Sequence, residues 1–255
     1  MTISNSSSKN RLLGTHQTLE DALRSAIEMG DTDLVKELVK GGADPDFYES
    51  TPLYLAVKNN YQDIVEFLLP YSSSPQRALL LAAQKGYSWI LSILISGLGR
   101  RCSTFTYSEA LRWAVWKGHL DCVKLLIPVS NPNTRGRLDG SVDGARISFN
   151  LSPLHLAVLK ERIDIVEELL PVTDFKITKD EEQVFETALA NGDIDMIKLL
   201  IPHINPKIVK SFQKDGLIPK EYLKENDFRD LPLSTQVARK KNLIKESTKV
   251  LRLKK

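Results

Sequence analysis

The sequence of 255 residues predicts an all-α solenoid of about six helix–turn–helix units that is closed by a helical C-terminal cap. Three observations predict this architecture. An alanine recurs six times with apolar residues at fixed distances around it, a turn residue follows each alanine at a fixed distance, and prolines follow the last apolar pair of most units. Length variation falls only between units, as expected for loops that join stacked repeats.

Each unit is defined by its alanine. A large apolar residue lies three positions before it, and two consecutive apolar residues lie eight and nine positions after it. Because positions i and i+3 share a helix face, and because alanine lets a second helix approach closely, this spacing predicts two packed helices. The six alanines are Ala26, Ala56, Ala82, Ala114, Ala157 and Ala188.

The turn between the two helices is predicted four residues after each alanine. A helix commonly ends there in a left-handed residue, which glycine and then asparagine adopt most easily. Glu161 is the exception and should cost about 1 kcal/mol. The six turn residues are Gly30, Asn60, Gly86, Gly118, Glu161 and Gly192.

The second helix of each unit has a predicted start and end. Aspartate occupies an early position in five units, where its charge complements the positive helix end, and Trp89 replaces it in the third. Proline cannot continue a helix, so prolines just past the last apolar pair predict where the second helices stop. These prolines are Pro70, Pro128, Pro171 and Pro202.

Composition narrows the class of protein. The formal net charge of +3 is too small to argue for nucleic acid, and the chain has only two cysteines, Cys102 and Cys122, which favours a reducing compartment. No apolar stretch approaches the roughly 18 residues that a membrane helix needs, and the N-terminus is polar. We therefore expect a cytoplasmic protein.

Motifs for catalysis or metal binding are weak. No nucleophile–base arrangement, phosphate loop or paired carboxylates stand out, so we expect no enzyme activity, cofactor or metal. His119 and Cys122 lie one helical turn apart, but zinc would need two more ligands, and Cys122 occupies a core position. His155 is expected to form local hydrogen bonds. Residues 139–144 resemble the start of a calcium loop, but its last ligand would be Asn150, so we interpret them as a flexible loop.

Four regions are predicted along the chain: a disordered N-terminal segment (1–18), the repeat array (19–205), a C-terminal cap (206–235) and a basic tail (236–255). The tail has eight lysines and arginines and one acid, a net charge of +7, which leaves −4 for the other 235 residues. Val237, Ile244 and Leu251 recur every seven residues in it, which permits an amphipathic basic helix. The alternative is a solvated or frayed tail.

Two units carry a recognisable motif. The stretches TPLYLAVKNNYQDIVEFLL, from Thr51, and SPLHLAVLKERIDIVEELL, from Ser152, resemble the ankyrin repeat, as does LVKGGADPD at 38–46. The resemblance covers residue 19 to about residue 205 and implies a protein-interaction module. It also implies that the two residues before each turn residue lie on a concave, partner-facing surface. We call these paired positions the helix-end stripe.

The stripe predicts the binding surface. Trp113 precedes its alanine at a core position, whereas Trp116 follows that alanine at a variable position, so we expect Trp113 to be buried and Trp116 to be an exposed anchor. The alternative is that Trp116 packs under the insert that follows its unit. The expected partner-binding residues are Met29, Lys58, Asn59, Gln84, Lys85, Trp116, Lys117, Leu159 and Lys160. Lysines around an aromatic favour an acidic, partly apolar partner, and the alternative is an ordinary solvated charged face.

These observations favour a monomeric, non-enzymatic scaffold that binds one protein through its concave face. The proline-ended helices resemble those of ankyrin proteins from intracellular bacteria and large viruses, which implies a host-directed effector in the host cytoplasm. The alternative function is a targeting module whose basic tail binds nucleic acid or an anionic membrane.

Overall fold

The computed structural model of the protein describes residues 18–142 and 145–218, and of these it describes only the backbone at residue 100 and at residues 137–142 and 145–149. The chain divides into two compact units, residues 1–130 and residues 131–255. No helix among the described residues is long and apolar enough to cross a membrane.

The first unit contains four helix pairs in chain order. First helices pack beside first helices, and second helices beside second helices. The pairs are α1 (Leu19–Met29) and α2 (Thr32–Lys40), α3 (Phe47–Lys58) and α4 (Gln62–Leu68), α5 (Gln76–Lys85) and α6 (Ser88–Leu98), and α7 (Thr104–Lys117) and α8 (Leu120–Leu126).

The second unit begins with an antiparallel hairpin and continues with two helix pairs and two further helices. Strand β1 (Gly136–Val142) pairs with β2 (Ala145–Leu151), so that Gly136 lies opposite Leu151. The helices are α9 (Pro153–Leu159), α10 (Ile163–Leu169), α11 (Phe175–Thr178), α12 (Glu181–Asn191), α13 (Ile194–Leu200) and α14 (Pro206–Lys214).

The repeat register is confirmed by burial. All six alanines have no exposed surface, and the apolar residues at the three fixed distances are buried in every unit. The alanine and the three apolar positions around it therefore have equivalent environments in all six repeats. Residues 18–218, as far as they are described, are all-α apart from the hairpin.

The predicted turns and helix ends are also confirmed. All six turn residues have positive φ, from 56° at Glu161 to 77° at Gly118. Each of the four prolines is the second residue of a one-turn 3-10 helix that follows a second helix. The aspartates at the early position of the second helices lie in the first helical turn. The side chains that cap the helices are instead Asp31 and Asp193, one residue before α2 and α13, which accept hydrogen bonds from backbone N–H groups of the first turn.

The prediction of a flexible loop at 139–144 is wrong as far as the described backbone goes, because strands occupy 136–142 and 145–151. Ile147, Phe149 and Leu151 alternate with other residues, which is typical of a strand.

The predicted helical cap begins with α14, whose Phe212 ring meets Phe185 edge-on with centroids 5.7 Å apart. Its predicted end at residue 235 and the basic tail lie outside the described residues.

Candidate interaction surface

Four neighbouring helices position the helix-end stripe in the first unit. Helices α1, α3, α5 and α7 pack in that order. Helices α1, α5 and α7 end at their second stripe residue, and α3 ends at its first, Lys58, with Asn59 as the C-cap. The backbone N–H groups of Gly30, Gly86 and Gly118 donate to the carbonyls of the alanines four residues earlier, which fixes where three of these helices end. Stripe side chains therefore project from equivalent places along the array.

Most of the expected stripe residues of the first unit are accessible. Met29 is 59% exposed, and Lys58, Lys85 and Lys117 are exposed as well. Asn59 and Gln84 are half-buried. Among the described residues, these three lysines have no ion-pair partner, so their charges face solvent.

Leu159 and Lys160 belong to the second unit, at the end of α9. Both are half-buried. The structure places them at the register of the stripe, next to the left-handed turn residue Glu161. The stripe of the second unit is therefore less accessible than the lysine positions of the first.

The interpretation of the two tryptophans is wrong. Trp116, expected to be an exposed anchor, is only 8% exposed, whereas Trp113 is half-buried. Ser108, Arg112 and Trp116 follow one another at four-residue intervals on one face of α7, and all three are buried. That face of α7 is thus an interior face, which the variability of its residues between units had concealed.

Two side chains from neighbouring repeats hold the ends of first helices. The Tyr61 hydroxyl donates a hydrogen bond to the Glu28 carbonyl oxygen at 3.4 Å, and Nε2 of His119 lies 3.1 Å from the Gln84 carbonyl oxygen. Their rings lie against Gly30 and Gly86, where a Cβ would come within 2.9 Å and 2.6 Å of ring atoms. Both side chains precede a second helix, and that position was not singled out from the sequence.

A polar cluster is buried in the second unit. His155 Nε2 lies 3.0 Å from the Thr187 hydroxyl, and its Nδ1 lies 3.8 Å from a carboxylate oxygen of Asp180. The pKa of His155 is lowered to about 4, chiefly by burial; the Asp180 carboxylate raises it and the Arg135 charge lowers it by smaller amounts. His155 is therefore a neutral structural side chain at physiological pH. The local hydrogen bond at this residue is the one that its backbone N–H donates to the Ser152 hydroxyl, whereas its ring contacts distant parts of the chain.

The two cysteines are buried structural residues as well. Cys122 is completely buried, as predicted, and burial, followed by the charge of Asp121, raises the pKa of its thiol to about 11. Cys102 is buried too. Across residues 18–142 and 145–218, no group of three histidine, cysteine or acidic side chains could hold a metal ion.

Paired helices stacked through buried alanines, with accessible side chains at equivalent helix ends, define the class of repeat proteins that serve as interaction scaffolds. The family model of ankyrin repeats, described as three copies, matches residues 5–78 and 111–212, and the chain belongs to the ankyrin-repeat family. Four of its second helices are followed by a proline in a one-turn 3-10 helix.

One curated relative is a human protein named 2-5A-dependent ribonuclease. It is 40% identical to this chain over 68 residues, which are 24% of this chain and 9% of that protein. The chain thus spans less than a tenth of that relative, whose name describes the whole protein.

Proposed function

We propose that this protein is a scaffold that binds an acidic protein partner through the helix-end stripe of its first unit. The observation that carries the proposal is the recurrence of exposed lysines, Lys58, Lys85 and Lys117, at the ends of three neighbouring first helices. Met29 continues the same register at the end of α1 and is 59% exposed.

The chemistry of the stripe supports an acidic partner with an apolar patch. Lys58, Lys85 and Lys117 lie in the last turns of their helices, where each charge contributes about 0.3–1 kcal/mol through the helix dipole, and their exposed ammonium groups remain accessible to a partner. On a rigid array, they give a surface of one sign that would steer an acidic protein and complement its carboxylates. Glu28, exposed beside Met29, limits the positive region to α3, α5 and α7.

Met29 supplies the apolar contact in this proposal instead of Trp116. A methionine side chain is flexible and polarizable, and it adapts to apolar surfaces on a partner. The buried ring of Trp116 supports the helix from which Lys117 projects. Leu159 and Lys160 stay in the proposal only as the equivalent positions of the second unit.

A scaffold role without catalysis is the function that the accessible chemistry supports. The side chains of the stripe are suited to recognition, and the cysteines and His155 are enclosed in the core. The resemblance of the proline-ended helices further suggests a host-directed effector, whose partner would be a protein of the host.

Charge reversal tests the proposal. We expect Lys58→Glu, Lys85→Glu and Lys117→Glu together to weaken the binding of an affinity-captured partner by more than tenfold, measured as a Kd with the purified partner. Three exposed lysines of the second unit, Lys176, Lys207 and Lys210, form a matched control, since their reversal changes the net charge equally.

Equal weakening by both triple variants would show that only net charge matters and would contradict a stripe. Unchanged binding by the stripe variant would remove this surface from the function altogether. Circular dichroism of each variant shows that the fold is kept.

A further inference from the structure

The turn of the sixth repeat contains a chemically labile pair of residues. Asn191 is the last residue of α12, and Gly192 follows it as the left-handed turn residue with φ of 69°. Among all asparagines of the sequence, only Asn191 is followed by glycine. Asparagine is a thermolabile residue, and a following glycine has no Cβ that would shield the peptide nitrogen between the two.

The side chain of Asn191 connects two repeats of the second unit. Its Nδ2 donates a hydrogen bond to the Val158 carbonyl oxygen at 3.2 Å, and Val158 lies near the end of α9 in the preceding repeat. Helix α9 packs beside α12. Asn191 is half-buried, so solvent reaches part of its side chain. The contact is comparable to those of Tyr61 and His119, which also meet a carbonyl oxygen near the end of a first helix in the preceding repeat.

Deamidation is the reaction that this pair of residues can undergo without an enzyme. The Gly192 backbone nitrogen loses its proton to hydroxide and attacks Cγ of Asn191. A bond forms between that nitrogen and Cγ, the bond from Cγ to Nδ2 breaks, and the amide nitrogen leaves as ammonia with a proton from water. Water then hydrolyses the five-membered imide at either carbonyl, which leaves aspartate or isoaspartate in place of Asn191. The reaction therefore needs only water and base.

The folded helix end restrains both reacting groups. The Gly192 N–H donates to the carbonyl oxygens of Ala188 and Leu189, each at 3.2 Å, and the Asn191 amide is held by the Val158 carbonyl oxygen. These distances lie at the long end of the range for N–H···O hydrogen bonds. Helix ends open locally more often than the core of a fold unfolds. Deamidation therefore proceeds from the opened end of α12, and its rate reports how often that end opens.

We propose that Asn191 is a site of spontaneous deamidation, and that its conversion irreversibly loosens the sixth repeat from the fifth. An aspartate side chain is a carboxylate that only accepts hydrogen bonds, so it cannot donate to the Val158 carbonyl oxygen. Its negative charge would lie at the C-terminal end of α12, where the helix dipole disfavours an anion. Isoaspartate would instead lengthen the main chain by one carbon, directly before the left-handed Gly192.

Mass spectrometry of the full chain, aged at mildly alkaline pH and then digested, tests the modification. Asn59 is the matched internal control, because it holds the same position of the helix-end stripe in the second repeat and is followed by Asn60 instead of glycine. We expect Asn191 to convert at least fivefold faster than Asn59, with both aspartate and isoaspartate formed. Guanidinium chloride below the unfolding transition should speed the conversion, because it favours the opened helix end.

Hydrogen exchange of the α12 backbone amides tests the structural consequence. Asn191→Asp supplies the carboxylate of the product, Asn191→Ala removes the hydrogen bond without adding charge, and Asn59→Asp adds the same charge in the same register of the second repeat. We expect exchange in α12 to be about tenfold faster in Asn191→Asp than in the native chain, since a buried acceptor is left unpaired beside a new anion. Asn191→Ala should have a smaller effect, and Asn59→Asp should leave α12 unchanged.

No conversion of Asn191 during the time in which a free peptide of residues 186–196 converts completely would overturn the modification site. Equal exchange of α12 in the native chain and in Asn191→Asp would overturn the loosening of the sixth repeat. Neither result bears on the stripe lysines of the first unit, whose test is the binding of a partner.

Discussion

A methyl group added at Gly86 tests whether the third and fourth repeats interlock as the structure shows. Gly86 has φ of +75°, and a Cβ there would lie 2.6 Å from Nδ1 of His119. The ring of His119 cannot stay in place beside that Cβ, so Gly86→Ala perturbs both the backbone of the turn and the contact between repeats.

The expected cost has two parts. A non-glycine residue in the left-handed region costs about 1–2 kcal/mol. Displacing the His119 ring also removes its hydrogen bond to the Gln84 carbonyl oxygen, which contributes about 0.5–1.5 kcal/mol. We expect Gly86→Ala to lower the free energy of unfolding by about 2–3 kcal/mol.

Urea denaturation followed by circular dichroism measures this loss, and Gly216→Ala is the matched control. Gly216 has φ of +72°, and a Cβ added there would have no heavy atom of another part of the described chain within 4 Å, so its substitution costs only the backbone part. In a double-mutant cycle, His119→Ala should reduce the cost of Gly86→Ala to that of the control. No coupling between the two substitutions would refute the proposed contact between repeats.

The remaining predictions concern buried side chains. Trp116→Ala should destabilise the fold by about 3–5 kcal/mol in thermal or urea unfolding, and by clearly more than Trp113→Ala; the reverse order would contradict the burial described above. Ala114→Leu should overpack the helix pair and cost about 1–3 kcal/mol, so that a neutral result would count against the register. His155 has a pKa of about 4 when folded and about 6.5 when unfolded, because burial disfavours its charged form. The unfolded chain therefore binds the proton more tightly, and stability falls by up to about 3 kcal/mol as the pH drops from 6.5 to 4; His155→Gln should flatten this dependence, and an unchanged pH profile would contradict it.

The repeat register could be predicted because it is periodic. Alanine positions, turn residues and prolines each recur at fixed distances, and a local physical rule connects each of them to backbone geometry. Even Glu161, a poor residue for its position, adopts the left-handed conformation, because the surrounding helix pair determines the turn.

The environment of Trp116 could not be predicted in the same way. The residue at this position differs between repeats. Glu28 and Lys58 are exposed there, whereas Trp116 and Ala190 are buried, so a comparison of the repeats does not predict whether the side chain is buried. Arg112, four residues earlier on the same face, is charged and suggested a solvent-facing side, yet it is buried. Burial of such a face depends on long-range packing that helical periodicity does not specify.

The unusual second helix of the third repeat had a visible signal in the sequence. Trp89 interrupts a run of five aspartates at equivalent positions, and α6 lacks charge altogether. The sequence alone could not show that Trp89 is exposed or that Phe67 lines a groove with Asp31 and Asp63. The exposure of Trp89 depends on the packing of α6, and the groove depends on the packing of α2 beside α4.

Site-specific photo-crosslinking tests the central claim most directly. A benzoylphenylalanine residue placed at Met29 or Asn59 should form covalent products with the bound partner. The same residue at Lys40, an exposed position at the end of α2, should form none. Crosslinks from Lys40 but not from Met29 or Asn59 would place the partner away from the helix-end stripe and contradict the account.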